Sequence, residues 1–301
     1  MAQHNIVRFD TLCQYLDCMG QPTLHPLVAV VDLSTSPRME HYLHTFGFYA
    51  VFLKDTMCGD LRYGRQYYDY QEGTLVFIAP GQVVGVEPDG QTFQPKGHAL
   101  LFHPELLRGT SLGSNLMREY TFFSYASNEA LHLSDRERET FLECLRNIEH
   151  ELQHAVDRHS RRLVVSNIEL LLNYCVRFYD RQFYTREAVN SDILTRFERS
   201  LGNYFSSDRP EREGLPTVGM MAEELHLSAN YLGDLIKKQT GRTAQEHIQN
   251  MMIEIAKERI FDPSKSVSQI AYEMGFKYPQ HFTRLFKRRT GLTPVEYRSM
   301  N

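Results

Sequence analysis

The feature that most constrains this chain is an imperfect internal repeat within its last 87 residues. The string Leu232-x-x-Leu235-Ile236-Lys237-Lys238-Gln239-Thr240-Gly241-Arg242-Thr243 returns 50 positions later as Phe282-x-x-Leu285-Phe286-Lys287-Arg288-Arg289-Thr290-Gly291-Leu292-Thr293. Upstream the offset is 49, pairing Met221-Ala222 with Ile270-Ala271 and Leu225 with Met274. Each copy reads as helix, short turn, helix and glycine stop, with helices expected over 218–225 and 229–239, then 267–274 and 279–289. Ser228 caps one helix, and Ser266 with Gln269 forms a capping box for another. Thr243 with Glu246 and Thr293 with Glu296 repeat the box, the second with proline at the first helical position. Two short helices around a tight turn form the helix-turn-helix pattern.

At about 100° per residue, Leu232, Leu235 and Ile236 share an inward face in copy one, while Asn230, Asp234 and Lys237 point outward. In copy two Phe282, Leu285 and Phe286 face inward; Gln280, Arg284 and Lys287 face outward, flanked by His281 and Thr283. Lys238 and Arg288 extend the two basic runs. Between the copies, 245–261 read as an apolar-periodic helix of about 25 Å. It could hold two recognition helices about one DNA turn apart, roughly 34 Å, with side chains and packing angles making up the difference.

Charge supports this division. The whole chain carries −4. Residues 215–301 hold 12 basic and 9 acidic side chains, leaving 21 and 28 for the remainder. A basic module on an acidic body suits a nucleic-acid reader.

Upstream the pattern differs. Residues 27–31, 48–54, 74–80 and 98–104 are short apolar strands between turn residues, as in a sandwich or barrel. From Asp135 the period becomes helical, with Phe141, Leu145, Ile148, Leu152 and Val156 on one face and Ser134 and Glu137 as a capping box. The segment 163–183 is apolar on more than one side, which predicts burial on two sides and subunit pairing. Ile193, Phe197, Leu201 and Tyr204 mark a third helix. The expected domains are therefore 1–134, a helical dimerisation segment 135–205, a linker 206–214 opening the polar stretch 206–216 that two prolines break, and 215–301.

Residues 217–298 resemble the DNA-binding domain of the AraC/XylS family of transcription regulators, above all through SQIAYEMGFKYPQHFTRLFKRRTGLTPVEYR (268–298). The resemblance implies base-facing roles for Gln280, His281, Thr283 and Arg284 in copy two and for Asn230, Gly233 and Asp234 in copy one. Arginine reads guanine and glutamine reads adenine, whereas Gly233 has nothing to read with and Asp234 repels phosphate. Gly73–Gly81 is similar to the second motif of cupin barrels, with Val84 where a cupin places a metal-ligating histidine and Pro88 where a polar residue often follows. The expected fold is thus α+β: a cupin-like β-barrel with a helical dimerisation segment, then an all-α double helix-turn-helix domain.

Other strings carry less. His150-Glu-Leu-Gln-His154 spells a zinc-protease motif, yet both histidines fall away from the apolar stripe of their helix and suit a solvated face. His41 and His44 read as ordinary core or surface histidines. The five cysteines, Cys13, Cys18, Cys58, Cys144 and Cys175, form no CxxC pair and read as plain thiols. There is no signal-peptide pattern and no apolar run of about 18 residues, so a cytoplasmic location is expected. Phosphate-loop, dinucleotide and nucleophile-elbow signatures are absent. The expectation is a regulator without catalytic residues, metal or cofactor, which binds double-stranded DNA as a homodimer and answers to a small-molecule effector, with RNA polymerase as a further partner. The sequence assigns no ligand-binding residue. A cupin-type enzyme fused to a DNA-binding module, and a ligand-free DNA-binding protein, are the alternatives.

Overall fold

A computed structural model describes residues 6–55, 73–85, 90–125, 129–154, 157–185 and 187–299, with only the backbone described for 184–191. Cys58, Pro88 and Val156 lie outside the described residues. The chain divides into two compact units, Met1–Thr185 and Arg186–Asn301.

The first unit mixes sheet and helix. Its strands are β1 (Val7–Phe9), β2 (Val28–Asp32), β3 (Met39–Glu40), β4 (Leu43–Phe46), β5 (Tyr49–Lys54), β6 (Thr74–Ile78), β7 (Val83–Gly85), β8 (Thr92–Phe93), β9 (Gly97–Phe102) and β10 (Leu131–His132). Its helices are α1 (Leu12–Cys18), α2 (Pro104–Leu107), α3 (Ser111–Glu119), α4 (Asp135–Gln153) and α5 (Ser160–Thr185). Among the described residues the five-stranded sheet runs β10-β6-β5-β9-β2, beside a three-stranded sheet β1-β4-β7 and the pair β3-β8. The four predicted apolar strands are β2, β5, β6 and β9, which all join the larger sheet.

These strands read as continuous apolar runs because both faces of the sheet are covered. Ala29, Val31, Ala50, Phe52, Val76, Ile78, Ala99 and Leu101 share one core with Leu12 and Leu16 of α1 and Phe46 of β4. The alternate residues point the other way. Phe77 meets Phe122 at 4.3 Å and Tyr179 of α5 at 6.0 Å between ring centroids, and Phe102 meets Phe123 at 6.3 Å.

Helix α4 begins at the predicted Ser134–Glu137 box and ends at Gln153. Within α5, Ile168, Leu171, Leu172, Cys175 and Phe178 are buried, whereas Leu163 and Leu170 stay 48% and 45% exposed. Most of the apolar circumference noted in the sequence is therefore covered inside the unit by α4 and the sheet.

The second unit is helical: α6 (Glu187–Ser206), α7 (Arg209–Glu213), α8 (Val218–Glu224), α9 (Ala229–Thr240), α10 (Ala244–Ile260), α11 (Val267–Glu273), α12 (Pro279–Thr290) and α13 (Pro294–Arg298). Two expectations are corrected here. The third helix of the supposed dimerisation segment, α6, packs on α8, α9 and α10 and belongs to the C-terminal unit. Its Phe197, Leu201, Tyr204 and Phe205 are buried. Residues 206–214 are not a loose linker either. Pro210 is buried, and the Tyr204 hydroxyl donates to the Gly214 carbonyl at 2.9 Å. Arg209 pairs with Glu213 at 3.1 Å and with Glu224 at 2.5 Å, with its guanidinium 4.6 Å from the Tyr204 ring centroid. Polar composition suggested a linker; an arginine held by two carboxylates and an aromatic face makes it a structural corner.

Candidate nucleic-acid interface

Both repeats fold as helix-turn-helix units. In each, the helix after the turn ends at a left-handed glycine, Gly241 or Gly291, whose N–H donates at 2.8 Å to the carbonyl of Lys237 or Lys287. The capping boxes at Thr243–Glu246, Ser266–Gln269 and Thr293–Glu296 are all formed. Tyr231, Leu232, Leu235 and Ile236 anchor α9, while Phe282 and Phe286 anchor α12.

The outward faces of the two helices differ in chemistry. On α12, Gln280, His281, Arg284, Lys287 and Arg288 are exposed and Thr283 is half-buried. Among the described residues, Gln280, Arg284, Lys287 and Arg288 make no side-chain hydrogen bond or ion pair to the rest of the chain. The Thr283 hydroxyl is turned back to the Pro279 carbonyl at 3.2 Å. His281 lies against Tyr278, with ring centroids 5.6 Å apart.

On α9, Asn230 and Lys237 are exposed, but Asp234 is half-buried and has an interaction partner within the chain. Lys238 is exposed in area, although the atoms packed around its ammonium lower its pKa from the ordinary lysine value.

Two basic residues of the C-terminal module serve the fold instead. Arg289 donates to Gln249 at 2.6 Å. Arg298 ties α13 down by donating to the Ile260 carbonyl at 2.5 Å and the Lys265 carbonyl at 2.9 Å. Sequence reasoning also missed Tyr278, which is 48% exposed beside the first turn of α12, with the Lys277 ammonium 5.8 Å from its ring centroid. An aromatic residue directly before the helix-opening Pro279 was the available signal.

The remaining motifs fall elsewhere. His150 and His154 are exposed at the end of α4, where His154 is already extended and its Nδ1 lies 2.7 Å from the His150 carbonyl. In the first unit, Val84 is buried opposite His44 in the β4–β7 register. Both line a cavity of about 100 Å³ between the sheets.

Comparison with known proteins places this geometry. A family profile described as a helix-turn-helix domain matches residues 221–300, and one described as an AraC-like ligand binding domain matches residues 58–171. The chain thus carries an AraC-like ligand-binding domain followed by a helix-turn-helix domain. The transcriptional regulators it matches include YesN of Bacillus subtilis, 40% identical over 76 residues that cover 25% of this chain and 21% of YesN. The regulator YtdP of the same organism is 29% identical over 112 residues, 37% of this chain and 14% of YtdP. The transcriptional activator RhaR of Escherichia coli is 26% identical over 141 residues, 44% of this chain and 46% of RhaR. The chain thus spans less than half the length of these curated relatives.

Proposed function

We propose that this chain is a sequence-specific DNA-binding transcription regulator of the AraC family whose first unit senses a small molecule. The observation that carries the reading is the face of α12, where Gln280, Arg284, Lys287 and Arg288 project, with no side-chain hydrogen bond or ion pair among the described residues, from a helix locked by Phe282, Phe286 and a glycine cap. A rigid helix presenting unspent donors is what base edges and phosphates require. Gln280, His281, Thr283 and Arg284 take the base-facing roles, and Lys237, Lys238, Lys287 and Arg288 the phosphate roles. Asn230 is left as the base reader of α9, because Asp234 is engaged inside the chain.

The first unit acts as a cupin-like barrel. That Val84, at the position of a cupin's metal ligand, lines the cavity favours an organic ligand over a metal-dependent enzyme. Two copies pair through the exposed side of α5 around Leu163 and Leu170, giving each dimer two DNA-reading modules and higher avidity. The protein works in the cytoplasm, with RNA polymerase as a partner at the promoter; among the described residues no helix is long and apolar enough to cross a membrane.

Genome-wide mapping of bound DNA, followed by titration of the recovered sites at several salt concentrations, tests the reading. Recurrent sites preferred over random duplex by about 10³-fold or more are expected. Uniform binding along the genome would overturn it.

A further inference from the structure

The cavity of the first unit has a wall of rings and aliphatic chains, including Tyr15, Phe52, Val76, Ile78 and Phe93. Set into it are two polar atoms that are shielded from solvent and have no hydrogen-bond partner, the Tyr42 hydroxyl and His44 Nδ1. Their rings lie 5.2 Å apart between centroids, so a ligand beside one ring is also beside the other. The Cys18 thiol sits beside the Tyr42 hydroxyl. Burial pushes the His44 pKa down to about 4, against the Tyr42 carbonyl, which favours the charged ring, and with help from nearby Lys54. The imidazole is therefore neutral at physiological pH. Lys54 lines the cavity but already has partners in the chain, one of them the Phe52 ring at 5.5 Å.

We propose that this cavity binds a small, uncharged, hydroxylated aromatic molecule of about the size of phenol, an assignment that rests on reading the first unit as a sensor. Size comes first. An apolar cavity of roughly 150 Å³ takes benzene, so about 100 Å³ limits the ligand to a single ring at most. Polarity comes second. A hydroxyl donates one hydrogen bond and accepts others. It can donate to His44 Nδ1, with the imidazole proton on Nε2, while accepting from the Tyr42 hydroxyl, so both buried orphans are satisfied by one group. A sugar carries a hydroxyl on nearly every carbon and would leave most of them unpaired against this wall, each at a desolvation cost. A carboxylate would need an unspent cation beside it; His44 is neutral and Lys54 is engaged.

Calorimetric titration of the full chain with phenol, toluene, benzoate and glucose provides the test. Phenol is expected to bind, with toluene roughly 5- to 100-fold weaker for want of two hydrogen bonds. Tyr42→Phe, which keeps the ring, should weaken phenol roughly 2- to 10-fold and leave toluene unchanged. Val84→Phe, which fills the cavity, should abolish both, and the DNA affinity of each variant reports that the chain is still folded. Absence of phenol binding, equal affinity for phenol and toluene, an unchanged Tyr42→Phe variant, or tighter glucose or benzoate would each overturn the assignment. Glucose or benzoate that binds and alters DNA affinity leaves the sensor reading standing while this one falls. Phenol that binds but leaves DNA affinity unchanged does the reverse.

Discussion

His226 and Gly275 occupy equivalent positions in the two turns, 49 residues apart, and both are left-handed, with φ of 59° and 89°. The resemblance ends at their surroundings. A Cβ on Gly275 would lie 2.5 Å from the Gly214 carbonyl oxygen and 2.9 Å from that of Pro210. Gly275→Ala therefore adds overpacking to a disfavoured backbone and should cost about 2–4 kcal/mol. His226→Gly trades the same backbone strain against extra chain entropy and should stay within about 1 kcal/mol of the parent. Urea denaturation of both variants checks this; equal effects would show that the second turn is not pinned by residues 210–214. Side chains of α12 invite a different comparison. Arg284→Ala should cost about 1–3 kcal/mol at a specific site and relax preference at one base pair. Lys287→Ala should weaken specific and random duplexes alike and reduce the salt slope. Retention of the specific-to-random ratio by Arg284→Ala would misplace the reading helix.

Among the elements, α10 and α13 depend on carboxylates for their starts. Glu246 accepts from the Thr243 N–H at 2.8 Å and hydroxyl at 2.9 Å, and Glu296 from those of Thr293 at 2.7 Å and 2.8 Å. Those bonds, the backbone one foremost, hold both carboxyls below the ordinary glutamate pKa. At Glu224 of α8, burial acts upward but the Ser200 and Arg209 hydrogen bonds outweigh it, so it too is lowered. A folded pKa below the unfolded one means stabilisation that is present above the unfolded value of roughly 4.3 and lost as pH falls through the folded one. The second unit should thus lose stability from about pH 5 downward, and Glu224→Gln should remove part of that loss. Denaturation midpoints at pH 7 and pH 4 for parent and variant measure it; an undiminished difference in the variant would count against the Arg209–Glu224 corner.

For the molecule as a whole, the division at Thr185 has consequences. Burying Phe197, Leu201, Tyr204 and Phe205 of α6 contributes on the order of 6–12 kcal/mol as an upper bound. That matches the total stability of a typical domain. A fragment 186–301 should therefore unfold cooperatively and bind DNA, while 207–301, which starts within the stretch that composition marked as linker, should lack cooperative unfolding. Calorimetry of the two fragments decides; a cooperative 207–301 would relegate α6 to an accessory. Light scattering of 1–185 addresses the pairing of subunits through α5. A dimer at micromolar concentration is expected, and replacing Leu163 and Leu170 by serine should shift it toward monomer. A parent fragment that stays monomeric throughout would sink that interface.

Local patterns were enough to define the C-terminal repeat, because caps, glycine stops and 3.6-residue periodicity act within a few residues of chain. Helices α8 to α13 start where Thr217, Ser228, Thr243, Ser266, Pro279 and Thr293 stand in the sequence. The same holds for β2, β5, β6 and β9, whose apolar runs are long enough to stand out. Short elements such as β3, β7 and β8 exist only through partners distant in sequence and left no local signal. Tertiary packing also decided which basic residues remain unspent, since nothing in their identity separates Arg284 from Arg289, and only the second finds Gln249. It decided that α6 and residues 206–214 join the DNA-reading unit, through buried aromatic rings and the Arg209 corner that composition had read as linker. And it enclosed Tyr42 and His44, near neighbours in sequence, in an apolar cavity whose walls exist only because β3 pairs with β8 and β4 with β7, strands far apart in the chain.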